Sequence, residues 1–173
     1  MDSQDEIERK FLINEDLLPD LSQYEKKQIV QGYLSYEPEV RIRAAKQNGK
    51  STYYLTKKGK GTLSRKENER KISACSFFNK LKRIDKESLI RKIRYEIPLG
   101  DGNTSELDFF QNPELKDYAG PNTGMHKTVE VEFSSIEASK SFNPPDWFGK
   151  EVTEIDKFKN NSISKFITAQ KQR

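Results

Sequence analysis

Apolar and polar residues alternate with a period of two through most of this chain, so strands are its main predicted element. Side chains two apart in a strand share a face, about 7 Å from one another. The opening run, Glu6-Ile7-Glu8-Arg9-Lys10-Phe11-Leu12, therefore puts Glu6, Glu8 and Lys10 on one side and Ile7, Arg9 and Phe11 on the other. Residues 26–35 alternate again, with Ile29, Gln31 and Tyr33 against Gln28, Val30, Gly32 and Leu34. Runs at 39–47 and 50–58 flank Asn48-Gly49, a pair suited to the positive φ angles of a two-residue hairpin turn. Such a turn sets residue 47 opposite 50, hence Arg43 opposite Tyr54, Arg41 opposite Thr56 and Glu39 opposite Lys58. Arg41, Arg43 and Lys58 then gather on one face. Lys57, out of phase with Lys58, and Lys60 are expected outside or in the following turn.

A second hairpin joins 89–98 to 104–111 around Gly100-Asp101-Gly102. A two-residue turn would place Glu106 opposite Ile97, turning the acids away from Lys92 and Arg94. A three-residue loop with a bulge at Gly102 places Arg94 opposite Asp108 and Glu96 opposite Glu106, and this odd-length loop is the expectation. Gly59, Gly61 and Ser64 mark a turn into a strand over 65–73, and 128–134 is the last predicted strand. Helical spacing appears at 74–81, where Phe77, Phe78 and Leu81 are expected to pack outside the sheet. A short helix over 134–142 is capped by Ser134 or Ser135. A C-terminal helix over 154–170 carries Ile155, Phe158, Ile163, Phe166 and Ile167. Asn14 is the expected cap of a short element at 15–18 that Pro19 limits, with Leu21 and Tyr24 covering the outside. Residues 112–126, rich in Asn, Pro and Gly, are expected to form an exposed loop.

Charge is sorted by strand. Glu6/Glu8, Glu67/Glu69, Glu106/Asp108 and Glu130/Glu132 pair anions two apart, while Arg41/Arg43 and Lys92/Arg94 pair cations. Like charges on one face destabilise a sheet, so six repeats of the device imply counterions of both signs. A metal-bound polyphosphate supplies them.

The 173 residues suit one domain, 1–173. Only 33% of them are apolar and 34% are charged, yet ten Phe, seven Tyr and one Trp argue against disorder. The net charge of +4 suits an anionic partner. Cys75 is alone, which excludes a disulfide framework or thiolate metal site, and the single His126 reads as an incidental loop residue. No run reaches the roughly 18 apolar residues of a membrane span, and the acidic start, Met1-Asp2-Ser3-Gln4-Asp5, resembles no signal peptide. The cytoplasm is the expected compartment. A homodimer is left open.

Paired Asp and Glu without His or Cys partners are hard oxygen ligands, suited to Mg²⁺ or Mn²⁺. Arg and Lys match phosphate oxygens. Together they suit in-line attack of water on a phosphoric anhydride without a covalent nucleophile. Gly59-Lys60-Gly61-Thr62 lacks the spacing of a Walker loop.

Glu6-Ile7-Glu8-Arg9-Lys10 resembles the N-terminal ExExK signature of the triphosphate tunnel metalloenzymes, or CYTH domains. The resemblance continues in order through Gln31-Gly32-Tyr33-Leu34, Arg41/Arg43, residues 61–69, Lys92-Ile93-Arg94-Tyr95, Glu106-Leu107-Asp108, residues 129–133 and Trp147-Phe148-Gly149-Lys150-Glu151-Val152-Thr153. It implies a mainly β, α+β fold: an eight-stranded antiparallel closed barrel with a charged tunnel, a few flanking helices, and a helix across one mouth. It implies that Lys10, Arg41, Arg43, Lys58, Lys92 and Arg94 bind the triphosphate. Glu6, Glu8, Glu130 and Glu132 would hold metal ions, with Glu6, Glu8 and Glu132 helping to position water. Glu67, Glu69, Glu106 and Asp108 would line the tunnel and offer a further metal site. Lys57, where relatives often carry an apolar residue, and Asn68, in place of a common aromatic, depart from the pattern, and 112–127 matches little.

The resemblance implies hydrolysis of tripolyphosphate to pyrophosphate and phosphate. Alternatives on the same fold are nucleoside or thiamine triphosphate hydrolysis and cyclisation of ATP to cyclic AMP. A non-catalytic RNA- or polyphosphate-binding module suits the basic pI, but the sorted carboxylates would repel a nucleic acid backbone.

Overall fold

A computed structural model of the chain describes residues 4–59 and 64–171. Nine strands follow in order: β1 (Gln4–Ile13), β2 (Lys26–Tyr36), β3 (Glu39–Gln47), β4 (Lys50–Lys58), β5 (Ser64–Lys71), β6 (Ile90–Pro98), β7 (Thr104–Phe110), β8 (Lys127–Phe133) and β9 (Phe148–Glu151). They hydrogen-bond in the order β5-β4-β3-β2-β6-β7-β8-β1-β9, and a further pairing of β5 with β1 closes the first eight into an antiparallel barrel. Closure removes the free edges that an open sheet would present. β1 pairs β8 on one edge through Ile7–Phe11, while its other edge takes β5 at Gln4–Ile7 and then β9 at Phe11 and Ile13. The short β9 was not foreseen from the sequence, because Phe148-Gly149-Lys150-Glu151 is too brief to show alternation.

Both hairpins take the expected registers. Asn48 and Gly49 have φ of 49° and 76°, and Gln47 faces Lys50, Arg43 faces Tyr54 and Glu39 faces Lys58. In the second, the Leu99 N–H bonds to the Asn103 carbonyl at 2.8 Å and Gly102 sits at φ 86°, leaving three residues in the loop and Arg94 opposite Asp108. The expected turn at Lys60 and Gly61 lies outside the described residues, as does the start at Met1-Asp2-Ser3; Lys57 is exposed, as its phase requires.

Two apolar clusters coat the outside of the barrel, and a third, under the C-terminal helix, closes one end of it. Helix α1 (Ala74–Leu81), capped by the Ser73 hydroxyl on the Ser76 N–H, seats Phe77 against Ile42, Leu55, Ile84 and Leu89. Phe78, expected to pack with it, is 52% exposed, meeting the rings of Tyr53 and Phe77 edge-on; an eight-residue helix lying on a sheet buries one narrow stripe. Helix α2 (Ile136–Ser141), capped by Ser135, packs beside Phe11, Val129, Val131, Phe133, Phe142, Trp147 and Phe148, with Leu21 and Tyr24 at the margin. Helix α3 (Asn160–Lys171) presses Ile163 and Ile167 onto Tyr33, Ile90, Phe110 and Leu115.

Other expectations need correction. The C-terminal helix does not begin at 154. Residues 152–159 form tight turns tied to β1, among them Val152 N–H to the Lys10 carbonyl at 2.8 Å, and a helical path would break these bonds. Ile155 consequently stays outside the packed stripe. Asn14 stands at the start of a three-residue 3₁₀ turn, but its side chain makes no cap; its backbone N–H instead bonds to the Trp147 carbonyl at 2.9 Å. The 112–126 segment is not exposed throughout. Lys116, Asp117, Asn122 and Thr123 face water, but Asn112, Leu115, Tyr118 and His126 are buried, and Tyr118 Oη donates to the Lys157 carbonyl at 2.6 Å. His126 is thus a packed residue: its ring lies between Phe110, Tyr118 and Phe158.

Candidate active site

Inside the barrel the alternation delivers charge instead of apolar surface. Lys10, Gln31, Arg41, Thr56, Lys58, Lys92, Arg94, Asp108 and Glu130 are all buried there by the inward phase of their strands. They surround a cavity of about 160 Å³. Of the residues singled out in the sequence, Glu6, Glu8, Lys10, Arg41, Arg43, Lys58, Glu67, Glu69, Arg94, Glu106, Glu130 and Glu132 line it. Lys92 and Asp108 stand one layer back, behind Arg94.

Each tunnel cation rests on a carboxylate. Lys58 Nζ reaches Glu6 Oε1 at 2.6 Å and Glu67 Oε2 at 2.7 Å, bridging β4 to β1 and β5. Arg43 Nη2 lies 2.9 Å from Glu69 Oε1, and Arg41 Nη2 lies 3.7 Å from Glu69 Oε2, which also accepts from Thr56 Oγ1 at 2.6 Å. Lys10 Nζ meets Glu130 Oε1 at 2.6 Å. Asp108 accepts two bonds from the Arg94 fork, both 2.7 Å, and one from Lys92 at 2.5 Å; Arg94 also pairs with Glu106 and, at 3.4 Å, with Glu130. Glu8 faces Glu132 across β1 and β8. No ion pair to Glu132 occurs among the described residues.

These neighbours move protonation equilibria in two directions. Burial would raise Glu130 and Asp108, but Lys10, Lys92 and Arg94 hold Glu130 well below the usual carboxylate range, and Arg94 and Lys92 hold Asp108 low. Lys10 ends above its ordinary value because Glu130 and Glu8 outweigh the effect of burial. Lys92 is pushed down to about 8 by burial and the adjacent Arg94, despite its own bond to Asp108. Glu8 is raised by burial and then by Glu130 and Glu6, Glu132 by burial and then by Glu6 and Glu106, and Glu67 reaches about 7, chiefly through burial. Burial thus raises Glu8, Glu67 and Glu132, with neighbouring acids adding to it, and the resident cations do not fully offset the rise as they do at Glu130.

That excess defines the cation the site suits. Carboxylates outnumber cationic side chains by eight to six in the lining, and all the charged oxygen donors are hard. Among the described residues no three Asp, Glu, His or Cys groups converge closely enough to hold an ion alone. Magnesium keeps water and substrate phosphate in its shell and needs only one or two carboxylates, so the residues fit such an ion completed by substrate.

The cavity is unsymmetrical. The chain after β9 covers one end with Val152, Thr153, Phe158, Lys159, Asn160 and Asn161, and α3 starts there. At the other end Arg43, Arg94 and Glu106 lead to a wider mouth flanked by Glu25, Lys27 and Glu96. Tyr33, Glu39 and the covering residues were missed as site residues in the sequence. Tyr33 shares the inward phase of Gln31, a signal that could have found it; the covering residues carry no periodic signal.

Comparison with known proteins fits this geometry. No family model matches the chain. It is 36% identical to an inorganic triphosphatase of Nitrosomonas europaea over 159 residues, covering 92% of this chain and 96% of that one. The chain belongs to the triphosphate tunnel family. It is also 30% identical to an inorganic triphosphatase of Acetivibrio thermocellus over 163 residues, 92% of this chain and 93% of that one. A crystal structure of an inorganic triphosphatase superposes on it with a TM-score of 0.58 at 32% identity, covering 92% of this chain and 93% of that chain.

Proposed function

We propose that this protein hydrolyses tripolyphosphate to pyrophosphate and phosphate inside the barrel, with Mg²⁺ or Mn²⁺. The observation that carries this is the convergence of Lys10, Arg41, Arg43, Lys58 and Arg94 with paired carboxylates on one cavity inside the barrel. The two relatives named inorganic triphosphatase support the same substrate class.

The chemistry proceeds by exchange of partners. In the resting protein Lys58, Arg41 and Arg43 are neutralised by Glu6, Glu67 and Glu69. An entering phosphate chain takes over these cations as charge-assisted hydrogen-bond donors, with Lys10, Lys92 and Arg94 completing the cradle. The carboxylates so released, Glu6, Glu67, Glu69, Asp108 and Glu130, together with Glu8 and Glu132, form the pool from which metal ligands come. A bound divalent cation would polarise phosphoryl oxygens and offset charge that develops on the leaving pyrophosphate. Glu6, Glu8 and Glu132 orient a water against the terminal phosphorus; its oxygen forms the new P–O bond, the anhydride bond breaks in line, and the released proton passes to a raised carboxylate.

No helix among the described residues is long and apolar enough to cross a membrane. The lone, exposed Cys75 fits a reducing compartment such as the cytoplasm.

The test is parallel incubation with tripolyphosphate, ATP and thiamine triphosphate in Mg²⁺ or Mn²⁺, measuring phosphate, pyrophosphate and cyclic AMP. Phosphate from tripolyphosphate should far exceed that from the organic triphosphates. Arg41→Ala should weaken binding and Glu8→Gln should abolish metal-dependent turnover. Cyclic AMP as the main product, or wild-type rates in both variants, overturns the proposal.

A further inference from the structure

The outward face of β1 carries a polar chain that the tunnel chemistry does not use. Arg9 points away from the cavity. Its Nε and Nη2 donate to Glu151 Oε1 and Oε2 at 2.9 and 2.7 Å, and its Nη1 donates to the carbonyls of Ser139 and Phe142 at 2.9 and 3.3 Å. Glu151 Oε1 accepts a further bond from Thr153 Oγ1 at 2.8 Å, and Thr153 Oγ1 in turn accepts the backbone N–H of Lys10 at 3.0 Å. The Lys10 carbonyl takes the Val152 N–H at 2.8 Å. On the other side of the strand, the Lys10 ammonium donates to the Phe158 carbonyl at 3.1 Å besides pairing with Glu130.

Lys10 is thus gripped at its backbone and at its tip by the same segment, 152–158, and that segment is fastened by Arg9 through Glu151. Thr153 borders the cavity, yet its hydroxyl is committed as donor to Glu151 and acceptor from Lys10, leaving it nothing to offer a phosphate. A bidentate guanidinium–carboxylate pair fixes geometry as well as charge, and a side chain that contacts substrate is only as well placed as the groups that hold it. We propose that Arg9, Glu151 and Thr153 are positioning residues that act through Lys10: they hold its ammonium at the covered end of the tunnel for the phosphate chain while touching neither substrate nor metal. This rests on the tripolyphosphatase function proposed above.

The experiment uses the full chain with Thr153→Val, which keeps the shape and removes the hydroxyl, Thr153→Ser, which keeps it, and Glu151→Gln. Tripolyphosphate affinity is read by calorimetry in EDTA, where no turnover occurs, alongside KM and kcat in Mg²⁺, thermal melting, and amide hydrogen exchange at Lys10. Thr153→Val should raise Kd and KM about tenfold, equivalent to about 1.4 kcal/mol, and speed exchange at Lys10; Thr153→Ser should stay within about twofold of wild type. Glu151→Gln should raise Kd several-fold, and it decides the matter with Thr153→Ser should the valine variant not fold. A lowered melting temperature with unchanged Kd would mean a purely structural role and overturns the proposal, as does a serine variant as impaired as the valine one. A wild-type protein that binds tripolyphosphate but does not cleave it defeats the proposed function alone.

Discussion

Replacing Asp108 by Asn should be among the most destabilising single changes in the barrel. The Asp108 and Lys92 side chains are each 1% exposed and Arg94 is 6% exposed. The acid receives three charge-assisted bonds of 2.5 to 2.7 Å. With an amide there, Arg94 keeps Glu106 and Glu130, but Lys92 loses its charged partner and is left with a neutral amide, the Phe110 ring 5.5 Å away and more distant acids. Removing one partner of a buried pair costs about 3–5 kcal/mol, because the remaining charge is stranded in a poorly solvating interior. That is a large part of the roughly 5–15 kcal/mol that holds a domain together. At about 2–4 °C per kcal/mol for a chain of this size, melting should fall by roughly 6–20 °C. Urea unfolding can be followed by the single Trp147, which is buried against Phe148, and the midpoint should drop at constant slope. Adding Lys92→Met should recover about 1 kcal/mol or more, since coupled neighbours are non-additive. A loss below about 1 kcal/mol, or no recovery in the double variant, would refute the claim that these charges are desolvated.

Three further outcomes follow from other parts of the molecule. A methyl group at Gly32 would stand 2.6 Å from Leu89 Cδ2 and 3.1 Å from Ile84 Cγ2, so Gly32→Ala should cost about 1–3 kcal/mol by overpacking; an unchanged urea midpoint would show that the outer wall can shift. His126, held down to about 3 by burial and then by Lys10 and Lys157, stays neutral in the folded chain while the unfolded chain takes up a proton below about 6.5. Stability should therefore fall as pH drops from about 6.5 toward 3, by at most about 1.4 kcal/mol per unit; Glu67 acts oppositely between about 4.5 and 7, so the diagnostic is the difference between wild type and His126→Phe, and parallel curves would sink it. Metal ligands must be deprotonated, and Glu8 and Glu67 are both raised, so Mn²⁺ should bind more tightly at pH 8 than at pH 6; a pH-independent titration would remove both acids from the ligand set.

Local rules carried the reading of the strands a long way. The Asn48-Gly49 turn and the Gly100-Asp101-Gly102 loop determine register through backbone geometry alone, and register determines which charges meet, as with Arg94 and Asp108. Closure of the barrel could not be seen that way: the β5–β1 pairing joins Glu67 to Gln4, far apart in sequence, and no short-range pattern encodes it. It came from resemblance. The C-terminal segment was misread for a related reason. Its residues 152–159 answer to Lys10 and Tyr118, partners far off in sequence, and long-range bonds override helical periodicity. His126 was misjudged because its polarity suggested a loop, whereas its flat ring is what Phe110, Tyr118 and Phe158 pack against.

A barrel that turns its ion pairs inward reverses the ordinary use of hydrophobicity, and this explains how so few apolar residues suffice. Ile42, Leu107, Val129 and Val131 are wholly buried on the outside of the sheet, where helices and loops provide the second layer that any sheet needs. The lumen cannot be stabilised in the same way. Its charges are out of bulk water, so each must be neutralised by another side chain when the tunnel holds no ligand. The pairs of Lys58 with Glu6 and Glu67, and of Arg43 with Glu69, meet that requirement and also set the condition for entry. A ligand must return to every cation it displaces from a carboxylate at least as much negative charge as it removes, and the carboxylates left behind need a cation of their own. A phosphate chain arriving with a divalent ion satisfies both demands at once. A neutral molecule satisfies neither, and a polyanion lacking the metal satisfies only the first and binds more weakly, so preference for the metal-loaded chain arises from the wall itself without a dedicated recognition loop.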